Sequence, residues 1–156
     1  MKKILIALDY APTSEKVAEA GYSLTKAMGA ELTLLHVIEN PSYYGSAAFD
    51  PIMGFGGYMD MDLLQPDFMS QLNTTSLNFL EKTKDHLGSD DIQTLVKEGR
   101  IAETILETAK ELHTDIIVMG SHSLQWLENI IMGSETKHVL NHTSIPLYII
   151  PTKKHS

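Results

Sequence analysis

Asp9, Gly120 and the pair Gly133-Ser134 are the residues whose types and settings best suit chemistry on a small polar ligand. The stretch 115–140 reads DIIVMGSHSLQWLENIIMGSETKHVL. Its apolar run Ile116–Met119 has the look of a buried strand and passes directly into Gly120. After a connection, Gly133-Ser134 opens a helical pattern over Glu135–His142. A small-residue turn after a strand, and a Gly-Ser step onto a helix start, both leave backbone N–H groups unpaired, and such groups suit a phosphate. Asp9 closes a second apolar run, Ile4–Leu8, and offers a carboxylate there. The chemistry implied is nucleotide binding.

Other constellations are weaker. No lysine follows in a GK[ST] arrangement, so the glycines do not form a P-loop. Ser121-His122 lacks a G-x-S-x-G elbow, and neighbours on an extended turn point apart, which argues against a hydrolase triad. His138 and His142 have the four-residue helical spacing that can hold zinc, but no third ligand is evident nearby, and ordinary helix-surface histidines are expected. His36 lies within an apolar strand and reads as a satisfied core or interface residue. Asp60 and Asp62 are too few for a calcium loop. Arg100, the only arginine, reads as a surface residue, and Trp126 as packed on the domain rather than over a ligand.

The elements that must position these residues follow from hydrophobic period. The continuous apolar run Ile4–Leu8 suits a strand covered on both faces, Leu32–Val37, Ile116–Met119 and Pro146–Ile150 read as further apolar strands, the last with an edge that needs cover, and Ile92–Val96 reads as an edge strand. Helical stripes fall between them. Val17, Gly21, Leu24 and Met28 form one, capped by Thr13 or Ser14 and stopped at Gly29. Met69, Leu72, Ser76, Phe79, Leu80, Thr83 and Leu87 form a second that starts at Pro66 and stops at Gly88; Ile101, Ile105, Ala109 and Leu112 form a third. Alternating strands and helices predict an α/β fold: a single-domain, open, parallel five-stranded sheet with helices on both faces, Rossmann-like. With strand order 3-2-1-4-5, strands one and four flank the crevice at the carboxyl edge where such sheets bind ligands, and Asp9 and Gly120 converge there.

The chain has 156 residues, 43% apolar and 21% charged, which fits one domain with a proper core, residues 1–152, followed by a fraying tail, 153–156. The net charge of −8 argues against a nucleic-acid partner and against anionic membranes. No cysteine is present, which excludes disulfides and is compatible with the cytoplasm. The opening apolar run is too short for a signal peptide, and no stretch approaches the ~18 apolar residues of a membrane span. Residues 40–65 form a long insert rich in Gly, Met and aromatics without Lys or Arg, expected to fold over the domain or against a protein partner.

Four segments, KKILIALD, GAELTLLHVIE, DIIVMGSH and GSETKHVLNHTSIPLYII, resemble the universal stress protein family. Its ATP-binding members share Gly-x2-Gly-x9-Gly-Ser/Thr; here Gly120-x2-Ser123-x9-Gly133-Ser134 keeps the spacing with Ser123 for the second glycine. Where many members have Asp-x-Ser, this chain has Asp9-Tyr10-Ala11. The resemblance implies Ala7, Leu8 and Asp9 near the adenine or ribose, and Val37 against the base. Met119, Gly120, His122 and Ser123 would line the ribose and first phosphates, with Gly133, Ser134 and Glu135 around the phosphate chain. It implies ATP or another adenine nucleotide, with Mg2+ or Mn2+ on the phosphates, and a homodimer through the fifth strand, Leu147–Ile150. Rival expectations are a nucleotide-free dimeric scaffold, and a slow ATPase or adenylate-transfer enzyme using His122 or Glu135.

Overall fold

The structure is a computed structural model that describes residues 1–39, 66–121 and 134–152. Five strands run in one parallel sheet: β1 (Lys3–Ala7), β2 (Glu31–Ile38), β3 (Gln93–Glu98), β4 (Ile116–Gly120) and β5 (Leu147–Ile150). Their order is β3-β2-β1-β4-β5, the 3-2-1-4-5 order expected for the fold. Four helices lie between them among the described residues: α1 (Ser14–Met28), α2 (Pro66–Leu87), α3 (Ile101–Glu111) and α4 (Ser134–His142). None of the helices among the described residues is long and apolar enough to cross a membrane.

Period-2 alternation divides the sheet's side chains into two cores. Ile4, Ile6, Leu32, Leu34 and Val118 pack with Val17 and Ala18 of α1 and Leu80 of α2. Leu5, Ala7, Leu35, Val37, Ile117 and Met119 point the other way, onto Ala102, Ile105 and Ala109 of α3 and Val139 of α4. Both faces of the central strands are therefore buried, which is why their sequences are continuously apolar. Register is pinned on both sides of β1: Ile6 lies opposite Leu34 of β2 and Val118 of β4.

Gly21 sets how close α1 comes to the sheet. A Cβ there would meet Ile6 Cδ1 and stand 2.9 Å from Ile6 Cγ1 and 3.3 Å from Val118 Cγ1. The stripe predicted for α1 is correct at Val17 and Gly21, but Met28 is exposed at the helix end and Ala18 and Thr25 are buried instead. The stop at Gly29 is a left-handed cap with φ 59°. The side-chain cap expected of Thr13 or Ser14 is not the start signal: Thr13 makes no capping hydrogen bond. The turn before α1 is closed by Asp9, whose Oδ1 accepts the Ala11 N–H at 3.0 Å.

Candidate functional site

Because every strand points the same way, the carboxyl ends of β1, β2 and β4 share one edge, and β1 to β4 is where strand order reverses. A cavity of about 510 Å³ opens along this edge. Its floor is Ala7 and Leu8 of the first strand region, Val37 of β2 and Met119 of β4; Ile101 and Ile105 of α3 wall one side and Leu72 and Ser76 of α2 the other. The cavity is within the size range of small-molecule sites, about 300–1,000 Å³, and mostly apolar, as such sites are.

Asp9 is the polar group that stands out in it. Oδ1 is used by the Ala11 N–H, but Oδ2 is buried with no hydrogen-bond partner among the described residues. Burial raises the carboxyl from 3.8 to about 6, against the opposing pull of the Ala11 and Asp9 N–H groups. A carboxylate held this way is an acceptor waiting for an N–H or O–H donor.

Tyr10 and His36 give the cavity an aromatic side that no sequence motif announces. Tyr10, the residue after Asp9, places its ring 4.5 Å from His36 and 4.9 Å from Phe79, and its hydroxyl lies 2.7 Å from Ser76 Oγ. His36 Nδ1 is 2.8 Å from the Leu8 carbonyl, which can only accept, so Nδ1 carries the proton. Burial pulls the His36 pKa below its usual value, only partly countered by that bond, so the ring is neutral. His36 is thus the satisfied core histidine that its apolar strand predicts. The cluster ties the turn bearing Asp9 to α2, 66 residues away in the chain.

Of the residues predicted for a ligand, Ala7, Leu8, Asp9, Val37 and Met119 are brought together around the cavity. Gly120 is not in its lining. It faces a small recess beside α1, where an added Cβ would stand 2.9 Å from both Val17 Cγ2 and Thr152 Cγ2. The absent side chain there serves packing. Glu135, in the first turn of α4, turns its carboxylate to the start of α3, where Oε1 accepts the Ala102 N–H at 2.9 Å. Next to it, the buried Thr136 hydroxyl donates to the Gly120 carbonyl at 2.9 Å, fastening α4 to the end of β4. Ser134 begins α4. His122, Ser123, Gly133, Trp126, the insert 40–65 and the tail 153–156 lie outside the described residues.

Elsewhere, Arg100 is an exposed residue paired with Glu103 at 3.8 Å. His138 and His142 stack with centroids 4.3 Å apart, and His142 Nδ1 bonds the His138 carbonyl at 2.9 Å. The one trio of potential metal ligands among the described residues is Glu15, Glu19 and His86, on exposed faces of α1 and α2 and already joined as ion pairs of 3.0 and 2.7 Å.

Compared with known proteins, residues 1–151 match the model of the universal stress protein family. A universal stress protein of Methanocaldococcus jannaschii is 27% identical over 157 residues, covering 97% of this chain and 96% of its own. Two solved structures share the fold at 16% identity. One is a universal stress protein in complex with cAMP (TM-score 0.62, 97% of each chain). The other is the universal stress protein from Archaeoglobus fulgidus in complex with dAMP (TM-score 0.61, 96% of this chain and 98% of that one).

Proposed function

The chain belongs to the universal stress protein family, and on that premise we propose that it binds an adenine nucleotide, ATP included, at the carboxyl edge between β1 and β4, as a cytoplasmic regulatory protein of stress rather than a catalyst. The observation that carries this reading is the unpartnered, buried Oδ2 of Asp9, a residue that lines a mostly apolar cavity at the reversal of strand order. The adenine amino group and the ribose hydroxyls are donors of the kind this oxygen lacks. Leu8, Val37 and Met119 supply apolar surface for a base, and Ile101 and Ile105 close over it. That two universal stress proteins of the same fold were solved with cAMP and dAMP is consistent with this choice.

In this reading the phosphates extend from Met119-Gly120 toward the start of α4, past His122 and Ser123, to the backbone of Gly133, Ser134 and Glu135. Among the described residues the charged groups lining the cavity are acidic, Asp9 and Glu39, so Mg2+ or Mn2+ on the phosphates supplies the positive charge that ATP requires. The protein acts as a homodimer through β5, an edge strand whose Tyr148 is exposed.

Calorimetric titration of the purified protein with adenosine, AMP and ATP–Mg2+ tests the reading. Binding is expected, and Asp9→Asn, which turns an acceptor into a donor, should weaken it about 10–100-fold. No binding of any of the three at millimolar concentration would refute it. That outcome would favour a nucleotide-free dimeric scaffold, the reading supported by Gly120, whose glycine is already required by Val17 and Thr152 without any ligand.

A further inference from the structure

Glu15, Glu19 and His86 line no part of the carboxyl-edge cavity, and the nucleotide reading makes no use of them. Glu15 and Glu19 stand four residues apart on α1, so their carboxylates leave the same face of the helix. His86 comes from the last turn of α2, 67 residues beyond Glu19 in the chain. The two helices are held side by side by a shared core that includes Val17, Ala18 and Leu80. His86 Nε2 lies 2.7 Å from Glu19 Oε2 and 3.0 Å from Glu15 Oε1. The three donor atoms are all within 4.8 Å of one another, and all three residues are exposed.

An ion pair does not use the whole arrangement. A single Nε2–H points one way, and its hydrogen bond goes to Glu19. Glu15 and Glu19 meanwhile set like charges at i and i+4, an unfavourable spacing that a shared cation relieves. This is also more than an acidic patch, because an imidazole nitrogen of one helix meets two carboxylates of another. A tetrahedral ion with bonds of about 2.0–2.1 Å sets its donors about 3.4 Å apart. The distances of 3.0 and 2.7 Å need to widen by only about half an ångström to match, and exposed glutamate side chains accommodate that.

We propose that Glu15, Glu19 and His86 form a surface site for a divalent transition metal of the zinc class, which clamps the start of α1 to the end of α2. One nitrogen and two oxygens from the protein leave the fourth position to water. The imidazole selects zinc-like ions over Mg2+ and Ca2+, which favour oxygen ligands. Binding replaces the Nε2 proton with the metal, and the proton passes to the buffer. α1 follows directly on the turn that carries Asp9, and α2 supplies Leu72 and Ser76 to the cavity wall. The clamp therefore joins two elements that frame the cavity.

Calorimetry and thermal melts of the full-length, metal-free protein with Zn2+ and no nucleotide test the site. Zn2+ at about 100 times its dissociation constant should raise Tm by about 5–10 °C, whereas Mg2+ or Ca2+ at the same concentration should shift it by less than about 1 °C. His86→Gln and Glu19→Gln should each weaken Zn2+ binding at least about tenfold. His138→Gln, which breaks the stacked histidine pair of α4, should leave Zn2+ affinity within about twofold of wild type. Equal shifts with Zn2+ and Mg2+ would overturn the proposal. So would a Zn2+ affinity that is unchanged in His86→Gln, or one that is lost in His138→Gln.

Discussion

Replacing Asp9 by Asn should make the unliganded protein more stable while weakening its ligand binding. The carboxyl is raised from 3.8 in the unfolded chain to about 6 in the fold, so the folded state favours the neutral form. The sign follows from linkage: the penalty is absent below about pH 4, where both states are protonated, grows from 4 to 6, and is complete above 6. A shift of about two units corresponds to about 3 kcal/mol at most. Asn removes this cost, and its carbonyl can keep the bond from Ala11 N–H. For a chain of this size the gain should raise Tm by about 5–10 °C at pH 7.5. Thermal melts of wild type and Asp9→Asn from pH 4 to 8 provide the assay, with the difference between the two curves isolating this residue. A pH-independent difference, or an Asn variant that melts lower at pH 7.5, would refute the argument that Asp9 is kept charged against its own burial for the sake of a ligand.

Other consequences can be measured the same way. Gly120→Ala forces a methyl against the stiff β-branched Val17 and Thr152 and should cost about 1–3 kcal/mol, read as a lower denaturation midpoint; an unchanged midpoint would remove the packing role assigned to this glycine. His36, neutral because it is buried, should contribute a loss of stability as pH falls below about 6.5, the opposite sign to Asp9, and His36→Gln should flatten that limb in urea titrations at pH 5 to 8. Tyr10→Phe deletes the hydroxyl facing Ser76 but keeps the ring stack, so chemical denaturation should show a loss of only about 0.5–1.5 kcal/mol.

The strands and helices are legible because each depends on local pattern, whereas four of the five cavity residues, Ala7, Leu8, Val37 and Met119, follow only from the family resemblance. Continuous apolar runs mark strands with two covered faces, and the strand order then places Asp9 and the end of β4 on one edge. What sequence does not display is which distant side chains complete the cavity. Tyr10 looked like a mere neighbour of an absent hydroxyl, yet it spans to Ser76 and Phe79, residues with helical but no chemical signature. Glu135 could be assigned to a helix start by spacing, but its preference for the N–H of Ala102 over its own helix depends on the packing of α4 against α3. Gly120 has the residue type that either a phosphate or close packing asks for, and sequence does not display its crowding by Val17 on α1 and Thr152 beyond β5. Steric glycines and phosphate glycines look alike in one dimension.

The hydrogen bond from Thr136 to the Gly120 carbonyl has an evolutionary consequence. It joins the last residue of β4 directly to the first turn of α4. Selection on this junction therefore falls on position 136, where loss of the hydroxyl would leave the buried Gly120 carbonyl without that donor.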